Sequence, residues 1–303
     1  MALIGTGTNP VTWTKSVTGW FERNRGLALG ITMAGTGVVG TFAPVAANAL
    51  IADVGWRGAY QALGLAIAVI GLPVLWLFFR DRHPPARAAA SSATATPPAP
   101  RGEGLETRAV LRSYRFWALG VAMLLICGCV AGLITNLVPL LTDKGLPRGE
   151  AAGYAAMVGV SVIVGRIVAG YLIDIVWAPA VAFVFLAAPA VSCIVLTGDA
   201  LTPTLLWIAV PLIGLAAGAE LDLLAFLTAR YFGIRNYGVL YGAQYGFFSV
   251  GSGFAPAIFG AVFDITGSYA TILYISAGCF LVGAALILTL GKYPEFGQSA
   301  AHA

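Results

Sequence analysis

Ionisable side chains are scarce in the apolar stretches of this chain, and the few that occur there define the chemistry it could do. Arg166 lies within the apolar run Ala151–Ile173, seven residues before its end. A guanidinium is a planar fork of donors that meets a carboxylate through two parallel bonds, so Arg166 is a candidate anchor for a carboxylate substrate. The structural alternative is an arginine near a helix end that reaches lipid headgroups or pairs with Asp174. Glu220 and Asp222 follow in the stretch GAELDLLAFLTAR. Two residues apart on a helix, they point about 200° from one another, so one can face a cavity while the other faces a neighbouring helix. A desolvated carboxylate suits proton coupling; the alternative is an ion pair with Arg230, Arg235 or Asp174. Asp222 and Arg230 stand eight residues apart, two turns along on similar faces and too far for direct contact without a third group. Asn136 and Gln244 are polar residues in apolar runs and are second candidates for lining a cavity. Such side chains also serve as hydrogen bonds between helices, as do Tyr154, Tyr241 and Tyr245.

Other chemistries find no residues to carry them. The histidines, His83 and His302, lie outside the apolar runs, and the chain contains neither HExxH nor GxSxG. Cys127, Cys129, Cys193 and Cys279 sit singly in apolar runs without a CxxC pair, as small core residues do. No catalytic residue, metal site or cofactor is expected. A net charge of +4 without a clustered basic face argues against a nucleic-acid partner.

The elements that must position these groups are membrane spans. Of 303 residues, 59% are hydrophobic and 10% charged, against about 25% charged in a soluble domain. The chain reads as an all-α polytopic membrane protein whose partner is the lipid bilayer, since a hydrocarbon core of about 30 Å takes about 20 apolar residues per helix. Spans are expected at Leu27–Ala52 and Ala59–Phe79, joined by Asp53–Gly58, and then at Phe116–Leu141, Ala151–Ile173, Ala178–Leu196, Leu205–Ala229, Tyr237–Phe263 and Tyr269–Leu290. Between the second and third, Arg80–Arg115 carries five prolines and seven arginines among Ala, Ser and Thr, a composition that makes a linker rather than a core. Alternate loops hold twelve and three Lys or Arg residues. The richer set, which includes the linker and the tail after Leu290, is assigned to the cytoplasm.

One unit occurs twice. Adding 212 to Gly26, Gly30, Pro44, Gly55 and Gly71 gives Gly238, Gly242, Pro256, Gly267 and Gly283, with no gap. Small residues at these places let helix backbones approach closely, and the proline bends the span. Two copies pointing the same way are the mark of a parallel-repeat transporter. The second copy is preceded by about four spans and the first by almost none, so the sequence is expected to be a fragment lacking roughly 100 upstream residues.

WFERNRGLALGITMAGTGVVG, followed by a proline and GWRGAY, resembles the loop and the fifth and sixth helices of major facilitator superfamily transporters. The nearest group in pattern holds the monocarboxylate porters and the oxalate/formate antiporters. GRIVAGYLID (Gly165–Asp174) is similar to the superfamily signature between helices eight and nine. The resemblance implies a major facilitator fold of two six-helix halves working by alternating access, here lacking about the first three and a half of twelve helices. Residues 1–80 would be a remnant of the N-terminal half (the end of helix 4, then helices 5 and 6). Residues 81–115 would be the cytoplasmic linker, 116–291 the C-terminal six-helix half and 292–303 a cytoplasmic tail. It further implies a secondary transporter of a small organic anion, with a proton as possible coupling partner, in a multi-pass plasma membrane of bacterial inner-membrane type. Arg166 matches the helix-eight arginine that anchors the substrate carboxylate in that group, although Val162 stands where the porters carry an aspartate. Asp174 would gate by holding its helix against the start of the helix near Gly238 through a charge–dipole contact; Glu220, Asp222 and Arg230 are the remaining coupling or gating candidates. The rival reading is a non-transporting membrane sensor or assembly partner on a transporter-like scaffold.

Overall fold

A computed structural model describes residues 25–78, 104–198 and 201–294, together with residues 14, 17 and 21. Most of the expected linker, the last residues of the tail and nearly all of the segment before residue 25 lie outside the described residues. The chain divides into two compact units, Met1–Gly37 with Pro100–Ala303, and Val38–Ala99.

The larger unit is helical, with a single isolated bridge between Gly104 and Gly233 among the described residues. Six of its helices are long and apolar enough to cross a membrane. Numbered after two N-terminal helices (α1 and α2) and the short α3 (Thr107–Leu111), they are α4 (Tyr114–Asp143), α5 (Arg148–Ile175), α6 (Ala178–Thr197), α7 (Pro203–Phe232), α8 (Tyr237–Thr266) and α9 (Ala270–Leu288). Each covers its expected span within a few residues. Their ends follow from local chemistry. The Ser113 hydroxyl accepts from Arg115 N at 3.3 Å ahead of α4, and Thr202 caps α7 with Pro203 in the first turn, where its missing N–H costs nothing. Gly267 ends α8 in the left-handed conformation at φ 68. Lys144 Nζ donates to the Thr197 and Gly198 carbonyls at 3.2 and 2.8 Å, tying the C-terminal end of α4 to that of α6. Pro139, Pro189, Pro211 and Pro256 lie inside α4, α6, α7 and α8, tolerated because neighbouring helices supply packing around the broken ladder.

Packing is most extensive between α5 and α7, α4 and α8, and α6 and α9. Glycines set the first two of these contacts. A Cβ on Gly165 would meet Leu215 O at 2.5 Å, and one on Gly214 would meet Val158 O at 2.7 Å, so the α5 and α7 backbones touch. On α4, a Cβ on Gly128 would lie 3.2 Å from Gly251 O of α8, so these two backbones are close as well.

α1 begins in the larger unit, and there its glycines seat it on α5: a Cβ on Gly30 would lie 2.6 Å from Arg166 O and 3.6 Å from Gly170 Cα. The helix is assigned from Arg25 to Ala66, with non-helical Gly55 (φ 72, ψ 169) interrupting it inside the expected Asp53–Gly58 joint. A π-helical turn, Ile67–Gly71, then leads to α2 (Leu72–Phe78). The break at Gly55 and the second copy's cap at Gly267 fall on the same position of the repeat.

Candidate functional site

The glycine stripe on α7 decides which side chains meet. Gly214 and Gly218 lie against Ser161, Val162 and the Arg166 backbone of α5. Asp222 is the next residue of that stripe, one turn further on. It therefore comes up against the side chain of Arg166. Arg166 Nη1 donates to Asp222 Oδ1 at 3.2 Å, with the two side chains 5% and 0% exposed. Neither Arg166 Nε nor Asp222 Oδ2 makes a hydrogen bond. The pair is a single-bonded contact between two groups that each have capacity left, deep between α5 and α7. Of the structural alternatives, an ion pair is what forms, but between Arg166 and Asp222 themselves: Arg166 does not pair with Asp174, nor Asp222 with Arg230 or Arg235. Val162 packs through its backbone against Gly218; the carboxylate facing the arginine comes from α7 instead of from α5.

Glu220 is also buried, at 7% exposure, and its Oε2 makes no hydrogen bond. The Cys127 thiol of α4 lies beside it, and the charges of Arg166 and Asp222 reach it. Both carboxylates of the Glu220–Asp222 pair are therefore interior, one turned to α5 and the other to α4. Cys127 carried no sequence signal beyond its burial in an apolar run.

The remaining candidates are distributed around this centre. Gln244 is fully buried; Nε2 donates to Phe116 O at 2.8 Å while Oε1 makes no hydrogen bond. Asn136 Nδ2 donates to Gly132 O of its own helix at 2.9 Å. Arg230 is exposed, its guanidinium 4.8 Å from the centre of the Tyr293 ring. Asp174 Oδ1 and Oδ2 accept from Gly26 N at 2.8 Å and Leu27 N at 2.9 Å. Asp174 thus sits on the positive end of a helix as expected, but the helix is α1 and not the one beginning near Gly238. The physical reason is the seat of Gly26 and Gly30 on Gly170, which brings the start of α1 to the end of α5. In repeat terms the contact falls on Gly26, the first-copy counterpart of Gly238.

The sequence profile of the Major Facilitator Superfamily matches residues 1–256. The chain belongs to that superfamily. Its family and fold are those of transporters. Among relatives in the superfamily, an MFS-type transporter of Gibberella moniliformis is 27% identical over 292 residues, covering 91% of this chain and 63% of the relative. Monocarboxylate transporter 12 of Mus musculus is 29% identical over 294 residues, covering 89% and 60%. The chain spans less than two thirds of the length of these relatives. The crystal structure of the E. coli fucose:proton symporter superposes with a TM-score of 0.68 at 15% identity, over 95% of this chain and 74% of that one. This superposition shows the major facilitator fold; membership of the superfamily and the six long apolar helices make the chain part of a multi-pass membrane protein.

Proposed function

We propose that this chain forms part of a secondary transporter that moves a small organic anion by alternating access, with Arg166 receiving the anion. The observation that carries the reading is the buried guanidinium with Nη1 on Asp222 and Nε unoccupied. A substrate carboxylate entering beside it competes with Asp222 for the fork, using the donor that is already open. Asp222, displaced inside the protein, is left as a carboxylate without its cation, a costly state that proton uptake relieves. One proton would accompany each anion. Glu220, with an open oxygen two residues away, is the second station for that proton.

Asp174 gates on this reading. Its bonds to Gly26 and Leu27 must break whenever α5 and the start of α1 separate. Arg230, seated over Tyr293 at the same end of α7, gates with it. Gln244, with its free Oε1, and Asn136 line the route. Similarity to monocarboxylate transporters supports a carboxylate substrate, and a fold shared with a fucose:proton symporter supports a proton as coupling ion. Placement in a bacterial inner membrane belongs to the same proposal.

The test is direct binding of small monocarboxylates to the purified chain and its Arg166→Lys, Arg166→Gln and Arg166→Gln/Asp222→Asn variants, each checked for monodispersity. Lys keeps the charge and loses the fork, so affinity falls in part. Gln loses both, at about 2–5 kcal/mol, or roughly 30- to several-thousand-fold. The double variant folds well and still fails to bind. Unchanged affinity in a monodisperse Gln variant would remove Arg166 from the site.

A further inference from the structure

A cavity whose lining includes none of Arg166, Glu220 and Asp222 opens in the six-helix unit. It has a volume of about 300 Å³ and opens between α4, α8 and α9, at the small end of the range of about 300–1,000 Å³ in which small molecules bind. Its lining is apolar and includes no charged residue, so the anion proposed above has no partner there. Val250, Phe254 and Ile275 line it and are themselves more than half exposed, giving it an apolar mouth.

One group in its wall is unusual. Hydroxyls on α8 bond back to their own helix: Ser249 to Tyr245 O, Ser252 to Phe248 O and Thr266 to Val262 O. Ser192 reaches across to Ala209 O. Ser276 of α9 does none of this. It is 1% exposed, lines the cavity, and its Oγ has no oxygen or nitrogen partner, only the Cys129 thiol beside it. Beside it are the thiols of Cys129 and Cys279, which are weak donors and acceptors. A buried hydroxyl left with a thiol as its partner is poorly satisfied, and a stronger acceptor would recover free energy. Water is a poor solution, because it needs two to four good polar partners, and beside this single hydroxyl the wall offers only two thiols, which are weak ones.

We infer that this cavity is a binding site for a small lipophilic molecule carrying one hydrogen-bond acceptor, which takes the Ser276 hydroxyl as donor and leaves its apolar body among the helices. The site is separate from the anion site and stands whether or not Arg166 binds a carboxylate. Its occupant arrives through the apolar mouth from the hydrocarbon phase rather than from water.

The probes are acetophenone and ethylbenzene, near-isosteres that differ by the carbonyl. The readout is the rate at which N-phenylmaleimide alkylates Cys279 in the purified native chain, followed by peptide mass spectrometry. Acetophenone is expected to protect Cys279 at a concentration about three- to tenfold lower than ethylbenzene, the worth of one neutral hydrogen bond. In Ser276→Ala the preference for acetophenone is lost or reversed, because its carbonyl then enters the wall without a donor, and in Ala255→Phe, which fills the cavity, neither protects. Should Ala255→Phe fail to fold, the Ser276→Ala comparison alone decides. Equal protection in the native chain, protection by neither probe, or a preference for acetophenone that survives Ser276→Ala would each overturn the site. A Cys279 that the maleimide cannot reach would overturn it as well, since a guest of that size would then be excluded.

Discussion

Gly30 and Gly242 are the same residue of one repeated unit, and the two copies treat them differently. A Cβ on Gly30 would strike the Arg166 carbonyl at 2.6 Å, whereas one on Gly242 would meet nothing within 4 Å among the described residues. One backbone feature, by contrast, is shared: Gly55 and Gly267 both take positive φ, at 72° and 68°, although their ψ angles differ. A positive-φ glycine is written into the unit, while close packing depends on which helix lies opposite. In the first copy that helix is α5, which bears Arg166 on its other side, so the seat of α1 and the charged pair share one stretch of backbone.

The largest break in this arrangement is expected at the pair itself. Asp222→Leu strands a buried guanidinium and should cost about 3–5 kcal/mol, read as a fall in thermal stability of the purified protein. Adding Arg166→Met should return most of it, because an apolar pair of similar volume replaces a desolvated ion pair at little cost. A double variant as unstable as the single would show that Asp222 holds something other than Arg166. Next in size is Gly30→Leu, which overpacks against backbone that cannot yield and should cost about 1–3 kcal/mol. Gly242→Leu should stay within about 0.5 kcal/mol. Equal losses by thermal melting would erase the contrast between the copies.

The smallest effect distinguishes the two positive-φ glycines. Gly267 has ψ 11°, a left-handed region that asparagine visits, while Gly55 has ψ 169°, where side chains are strained by about 1–3 kcal/mol. Gly267→Asn should be close to neutral and Gly55→Asn destabilising by that amount in the same melts. A separate prediction concerns sidedness. In a cysteine-free background, Ser92→Cys should resist an impermeant maleimide added outside intact cells, and Gly145→Cys should react. Labelling at position 92 would reverse the orientation assigned from the basic loops.

The spans were legible because apolar run length is a local property, and α4 to α9 follow it closely. The repeat was legible for the same reason, through glycines and a proline at fixed offsets. The partner of Arg166 was not. Asp222 is 56 residues away, and its approach depends on how α5 and α7 cross, which no periodicity within either helix states. The available clue was the spacing Gly214, Gly218, Asp222: two glycines that admit a backbone, followed at the same interval by a carboxylate. Asp174 shows the converse limit. Its affinity for a helix start was readable from charge and position, but two starts carried the same glycine, and only packing chose Gly26 over Gly238.

The prolines inside α4, α6, α7 and α8 have a mechanical consequence. Each lacks the N–H that would bond four residues back, so Thr135, Phe185, Trp207 and Ser252 offer carbonyls that their own helices leave without the usual donor. Pro139 falls late in α4, Pro256 in the later half of α8, and Pro211 early in α7. Because successive spans alternate in direction, all three lie toward the end of the bundle where Lys144 ties α4 to α6. Arg166 and Asp222 lie toward the opposite end. The bundle therefore has its joints toward one end, where helices can flex without sacrificing a hydrogen bond, and its buried ion pair toward the other. A displacement that begins at the ion pair would be absorbed as bending at the far joints, and the lever arm for that motion is the helix between them.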